Sequence, residues 1–158
     1  MPGFLSKQQV EQYHEQGFVA PVDIMSEDEA EGYLQRLQVA ETGYPDDLNA
    51  ENRNNPHLAF SFLDELVHHP LILDAVEDLI GDSFSLWGSV LFIKEPQSKH
   101  YVSWHQDATY MSIEPQNFVT PWLALSASNL EMGCMSMIPG SHKNPIHRHE
   151  ETFHEDNI

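Results

Sequence analysis

The N-terminal half of the chain carries apolar side chains at helical spacing, between residues that commonly begin and end helices. Two capping-box patterns, Ser-x-x-Gln at Ser6 and Ser-x-x-Glu at Ser26, indicate helix starts. Pro70 suits the first position of another helix, and Gly81 suits its end. A polar loop is expected over residues 42–56. The pattern predicts four helices, from Ser6 to Gly17, Ser26 to Gly43, Phe60 to Val67, and Pro70 to Gly81.

After Gly81 the apolar period shortens, and aromatic and β-branched residues replace the helix formers. Runs over residues 84–93, 122–129 and 134–138 are typical of strands. Helical sequence followed by β-rich sequence predicts an α+β fold with a mostly antiparallel sheet. We expect one domain over residues 1–158, with a helical part at 1–82, a β-rich part at 83–145 and a polar tail at 146–158.

The charge balance is strongly acidic and narrows the function classes. Lys and Arg together number 7 against 25 Asp and Glu, which gives a net charge of -18 at pH 7. Such a surface repels nucleic acid and anionic membranes, so neither is expected as a partner. Cys134 is the single cysteine, which excludes an internal disulfide. The sequence shows no signal-peptide core and no membrane-spanning run, and we expect a cytoplasmic protein.

The strongest candidate for chemistry is the run His105-Gln106-Asp107, which follows an apolar, strand-like stretch. Residues i and i+2 of a strand project from the same face, so His105 and Asp107 can bind one metal ion as adjacent ligands. They would supply two thirds of the 2-His-1-carboxylate triad of a non-haem iron(II) oxygenase. The bare spacing is weak evidence, because composition alone predicts about 0.6 such pairs and a second lies at His154 and Asp156. The alternative is a half-buried histidine hydrogen-bonded to its neighbour.

Four motifs follow one another in a recognisable order. Leu-Phe-Ile-Lys-Glu-Pro starts at Leu91, His-Gln-Asp at His105 and Trp-Leu-Ala-Leu-Ser-Ala-Ser-Asn at Trp122, and Gly-Cys-Met-Ser-Met-Ile-Pro-Gly-Ser-His ends at His142. Over roughly residues 5–145 the chain resembles the phytanoyl-CoA dioxygenase family of Fe(II)- and 2-oxoglutarate-dependent oxygenases. The resemblance implies helices packed on a double-stranded β-helix, a jelly-roll or cupin-like barrel with the metal inside. The chain would hold the first half of that barrel.

By position, the resemblance assigns metal binding and catalysis to His105 and Asp107. It places Trp122 near the 2-oxoglutarate site and Val90 on the strand that lines this pocket. His57 stands roughly where the family has a basic residue that reaches the cosubstrate. Each has a structural alternative, since Trp122 and Val90 suit any barrel core and His57 suits a surface loop. The residues assigned to cosubstrate binding are His57, Val90, Gln106 and Trp122.

The carboxylate of Asp107 separates two branches of this chemistry. In related halogenases a small residue replaces it and leaves room for halide, so the resemblance implies hydroxylation here. The expected protein is an Fe(II)- and 2-oxoglutarate-dependent dioxygenase that hydroxylates a small molecule with dioxygen and releases succinate and CO2. The negative charge favours a small neutral or cationic substrate over a polyanionic CoA ester.

The third metal ligand is missing from the matched motifs. In the family, a second histidine and an arginine that grips 2-oxoglutarate follow well after the Pro-Gly-Ser-His turn, and the sequence stops before both. Three interpretations stay open: a truncated oxygenase, a chain in which His147, His149 or His154 replaces the ligand, and a non-catalytic cupin-like binding protein. Half a barrel would expose apolar surface, which favours oligomers. Because the turn borders the site in the family, His142 could touch substrate or serve only the turn.

Overall fold

A computed structural model describes residues 3–48, 53–111, 113–150 and 154–157 of the chain. This part contains the helices α1 (Lys7–Gln16), α2 (Glu27–Gly43), α3 (Ser61–Val67) and α4 (Pro70–Ile80). Short 3-10 turns form at Pro56–Leu58, Asp107–Thr109 and Ser141–Lys143. The four helices predicted from the apolar pattern are therefore confirmed. No helix in these ranges is long and apolar enough to cross a membrane.

Side chains close to the helix starts set where α1 and α2 begin. Ser6 Oγ accepts the N–H of Gln9 at 3.2 Å, and Gln9 Oε1 accepts the N–H of Ser6 at 2.9 Å. Ser26 and Glu29 form the same box at α2. Hydrogen bonds from the backbone N–H and the hydroxyl of Ser26 stabilise the ionised carboxylate and lower the pKa of Glu29. At the other end of α1, Gly17 has a φ of 86°, a conformation that suits glycine.

The main apolar core lies where α2 meets α3. Its best buried members are 3 to 4% exposed, and burying one leucine side chain contributes about 1.5–3 kcal/mol. The buried cluster consists of Leu37, Ala40, Leu48, Phe62, Leu63 and Leu66. A smaller contact holds α1 to α4, where the N–H of the buried Leu5 donates to Asp78 Oδ2 at 2.7 Å. Most of the buried apolar side chains therefore lie on the helices.

The three strands predicted after Gly81 are wrong. The described residues contain no strand, and β-type pairing there is limited to isolated bridges between Asn54 and Val90 and between Tyr101 and Asn157. This contradicts the α+β class with a jelly-roll sheet, because the regular structure described is helical. A strand needs a hydrogen-bonded neighbour along its length, and β-propensity measures the fit to that neighbour rather than a backbone preference. Among the described residues of these three segments, only Val90 of the first forms a bridge.

The alternation of apolar residues nevertheless separates a buried face from an exposed one. Leu91 and Ile93 pack against the core between α2 and α3, and so do Leu123 and Leu125. Phe92, between the first two, is 58% exposed. The period of two therefore predicts which side chains face the core, although no ladder of hydrogen bonds forms.

The Pro-Gly-Ser-His turn packs against the C-terminal end of α1. Gly140 has a φ of 75°, and its N–H donates to the carbonyl of Gln16 at 2.8 Å. His142 Nε2 lies 3.2 Å from the carbonyl of His14. Carbonyls at a helix end lack partners within the helix, so these contacts satisfy them. His142 thus has a structural contact here, and the chain continues from the turn into residues 143–150.

Candidate metal centre

His105 and Asp107 lie where an extended segment enters a single helical turn. Gln106 has extended backbone angles, with φ -118° and ψ 122°, and the 3-10 turn Asp107–Thr109 follows it. An extended residue directs the side chains on either side of it to one face. His105 Nε2 lies 3.2 Å from Asp107 Oδ1, and the two side chains are 33% and 44% exposed. The structure therefore brings the two predicted metal ligands together.

The pair fits two adjacent positions around a metal ion. His105 Nδ1 lies 2.8 Å from the carbonyl of Ser103, so we assign the ring proton to Nδ1 and the lone pair to Nε2. Imidazole nitrogen and carboxylate oxygen bind divalent metals at about 2.0–2.2 Å, so two ligands at a right angle stand ~3 Å apart. A carbonyl that accepts from the outer ring nitrogen is the usual support of a metal-binding histidine. If both ring nitrogens of His105 carry protons, the contact between His105 Nε2 and Asp107 Oδ1 is an ion pair.

Thr120 supports the carboxylate from a segment later in the chain. Its Oγ1 donates to Asp107 Oδ2 at 2.9 Å, while Asp107 Oδ1 faces His105. The ring of Tyr110 stands edge-on to the ring of His105, with 5.8 Å between centroids. These contacts restrict both candidate ligands. The sequence held no signal for Thr120, because a hydroxyl two residues before Trp122 is an ordinary feature of a strand-like segment.

The segment from His147 to His149 contacts the residue between the two candidate ligands. The N–H of Gln106 donates to His149 Nε2 at 2.9 Å, and the N–H of His147 donates to Gln106 Oε1 at 2.8 Å. The side chain of His149 thus contacts the site through the backbone N–H of Gln106. His154 pairs instead with Asp156, at 3.9 Å. Within the described residues, no group of three or more His, Cys, Asp or Glu side chains could hold a metal ion.

The residues assigned to cosubstrate binding fall in separate places. His57 Nδ1 lies 2.6 Å from Ser89 Oγ, and Val90 forms a bridge with Asn54, so His57 and Val90 are neighbours. Trp122 is 46% exposed and lies on the segment that supports the carboxylate. In the part of the chain that the structure describes, no hydrogen bond or ion pair links the His57 group to the metal-ligand pair. Their roles stay predictions.

A wide, shallow groove of about 700 Å³ lies between α2 and the start of α3. Its walls are mostly apolar. Arg36 at its edge already pairs with Glu65 at 3.1 Å and lies over the rings of Tyr33 and Phe62. None of the residues that line this groove is a predicted site residue. Ligand geometry therefore favours the pair of His105 and Asp107 as the candidate centre over this groove.

Residues 13–158 match the family model described as phytanoyl-CoA dioxygenase. The chain belongs to the phytanoyl-CoA dioxygenase family. The matched range includes every residue assigned above to metal or cosubstrate binding. The resemblance inferred from the four motifs is thereby confirmed.

Curated relatives of the phytanoyl-CoA dioxygenase family match parts of the chain. The "Probable alpha-ketoglutarate-dependent hypophosphite dioxygenase" of Stutzerimonas stutzeri is 34% identical over 100 residues, which is 62% of this chain and 35% of the relative. "Phytanoyl-CoA dioxygenase domain-containing protein 1" of Rattus norvegicus is 41% identical over 84 residues, 52% of this chain and 29% of the relative. "Phytanoyl-CoA dioxygenase, peroxisomal" of Bos taurus is 33% identical over 85 residues, 51% and 25%. The matches thus cover about a quarter to a third of each relative's length. No solved structure matches the chain.

Proposed function

We propose that this protein is a 2-oxoglutarate-dependent dioxygenase whose iron(II) is held by His105 and Asp107. The observation that carries the proposal is the 3.2 Å approach of His105 Nε2 to Asp107 Oδ1 in a chain of this family. An imidazole and a carboxylate side by side, with positions left open, match the donors of a non-haem iron(II) oxygenase. The name of the Stutzerimonas relative, an alpha-ketoglutarate-dependent dioxygenase, supports the same cosubstrate.

Each residue at the centre has a distinct task in this proposal. His105 Nε2 and Asp107 Oδ1 hold the ion. The carbonyl of Ser103 keeps the His105 ring in the tautomer that binds metal. The hydroxyl of Thr120 donates to Asp107 Oδ2 and keeps this oxygen directed away from the ion. When bound, ferrous iron supplies the activation of dioxygen, in which 2-oxoglutarate loses CO2 to give succinate, one oxygen atom enters succinate and the other enters a substrate C–H bond.

The cosubstrate contacts in the proposal come from the remaining predicted residues. Gln106 keeps its amide N–H donors for a carboxylate, because its side-chain oxygen already accepts from His147. His57 keeps one ring nitrogen, since the other is hydrogen-bonded to Ser89. Val90 and Trp122 are about half exposed and offer apolar surface beside the polar groups.

The reaction class and substrate class rest on charge and ligand type. Asp107 occupies the coordination position that a halide would take in a halogenase, which favours hydroxylation. The proposed substrate is a small molecule. A net charge of -18 favours a neutral or cationic compound over a polyanionic CoA ester.

An anaerobic titration tests the proposal. Iron(II) followed by 2-oxoglutarate should give the weak visible charge-transfer band of a chelated ferrous site, and His105→Ala should abolish it by removing a ligand. His68→Ala is the matched control, because His68 Nδ1 also lies 3.1 Å from a carboxylate oxygen, Asp64 Oδ1, but within the α3 region. Admission of dioxygen should then yield succinate and CO2 in the wild type and the control.

Two outcomes count against the proposal. A band of wild-type strength in His105→Ala would show that iron binds elsewhere. No band in the wild type would favour a non-catalytic binding protein, because the described residues bring only two donors together at this centre.

A further inference from the structure

The extended segment that leads into the metal-ligand pair is held by the part of the chain that follows the Pro-Gly-Ser-His turn. The N–H of Tyr101 donates to the carbonyl of Asp156 at 2.9 Å, and the N–H of Ser103 donates to Asn157 Oδ1 at 3.0 Å. Ser103 is also the residue whose carbonyl orients His105. The polar tail thus contacts the residue that supports a candidate ligand.

Closer to the ligands, residues 147–149 form what we call the clasp segment. His149 Nε2 lies 2.9 Å from the backbone nitrogen of Gln106, and the N–H of His147 lies 2.8 Å from Gln106 Oε1. Both hydrogen bonds end on the single residue that separates His105 from Asp107. They join positions 43 and 41 residues apart, so they depend on the tertiary structure.

The imidazole of His149 is oriented for this contact. Its Nδ1 lies 2.8 Å from the carbonyl of His147, so Nδ1 carries the proton and Nε2 accepts from Gln106. Thr109 Oγ1 lies 3.1 Å from the same Nδ1. His149 is half-buried, whereas Arg148 and Glu150 on either side are exposed. The ring is therefore fixed from both sides.

The torsion angles of Gln106 set the angle between the side chains of His105 and Asp107. Without the clasp segment, the N–H and amide oxygen of Gln106 would bond to water, and the two ligands would spend more time apart. Such disorder lowers the affinity for metal, and loss of a supporting group typically weakens metal binding about 10- to 100-fold.

We propose that His149 is a positioning residue of the metal centre, which acts through the backbone of Gln106 to hold His105 and Asp107 together. This inference rests on the proposed function, because it assumes that the pair binds metal. It assigns the clasp segment a support role and leaves metal coordination to the pair.

Cobalt(II) titration of the intact chain tests the inference, with the absorption band reporting the ligand set and the titration reporting Kd. His149→Ala should raise the Kd about tenfold while the band stays at its wild-type wavelength. His149→Gln should restore most of the affinity, because its amide oxygen can accept from Gln106. His147→Ala is the matched control and should bind as the wild type does, because the contact of His147 uses its backbone.

The outcomes separate this inference from the proposed function. If the wild type binds no cobalt(II), or binds it equally well in His105→Ala, the proposed function fails. If the wild type binds through His105 and His149→Ala keeps the same Kd, the support role is wrong. A shifted band in His149→Ala would make His149 a ligand and would also overturn it. Should His149→Ala not fold, as judged by circular dichroism, His149→Leu replaces it, because leucine fills the site but cannot accept the N–H of Gln106. It should bind cobalt(II) more weakly than His149→Gln, and equal affinity in these two variants would refute the support role.

Discussion

Replacing Thr120 by valine removes the hydroxyl that supports Asp107 and leaves the side-chain size almost unchanged. Thr120 Oγ1 donates to Asp107 Oδ2 at 2.9 Å. A hydrogen bond to a charged group contributes about 1.5–3 kcal/mol, and the lower value applies because the Asp107 side chain is 44% exposed and water can replace the hydroxyl. That value corresponds to roughly a tenfold change in a binding constant. We therefore expect Thr120→Val to raise the Kd for iron(II) about tenfold.

Anaerobic titration calorimetry measures this Kd directly. Thr120→Ser keeps the hydroxyl and should bind iron(II) within about twofold of the wild type. Thr42→Val is the matched control, because it also removes a hydroxyl that donates at 2.9 Å, in this case to the carbonyl of Gln38 in α2. It should leave the Kd unchanged.

Two results would refute the reasoning. An unchanged Kd in Thr120→Val would mean that the hydroxyl does not hold Asp107 in the metal-binding orientation. An equal loss in Thr42→Val would mean that the affinity follows overall stability rather than support of the carboxylate.

Three further predictions concern stability and are measured by urea unfolding. Leu63→Ala should lower the free energy of unfolding by about 2–5 kcal/mol because Leu63 is 3% exposed. Leu58→Ala, at a site 80% exposed, should change it little. The hydrogen bonds from Ser26 lower the pKa of Glu29, so they stabilise the folded state at pH values above the ordinary pKa of 4.5. This stabilisation is lost as the pH falls through the lowered pKa of the folded state. Glu29→Gln should remove that pH dependence of the free energy of unfolding. His142→Ala should lower the free energy of unfolding by about 0.5–1.5 kcal/mol, because it removes the contact with the carbonyl of His14. It should leave the Kd for iron(II) unchanged, and a higher Kd would contradict this prediction.

The helices were predictable because their signals are local. The capping boxes at Ser6 and Ser26, Pro70 at a first position and Gly81 after the last turn each act within a few residues. The strands were not predictable in this way. Alternation at Leu91 and the residues after it indicated a buried face, but a ladder needs neighbours that the pattern does not specify.

The candidate site shows the same difference between contacts that are local in sequence and contacts that are distant. His105 and Asp107 are two residues apart, so their approach follows from an extended backbone at Gln106. Thr120 is 13 residues from Asp107, and His149 is 43 residues from Gln106. Spacing alone therefore could not connect them to the pair.

The sequence by itself determined the four helices, the acidic charge, the family and the two metal-ligand candidates, because each depends on composition, on motif order or on residues close in the chain. The tertiary structure alone decided that the β-rich part forms isolated bridges, that His142 contacts the end of α1, and which distant groups support the candidate ligands. These features depend on hydrogen bonds between segments far apart, and such bonds form only when packing brings the partners within about 3 Å.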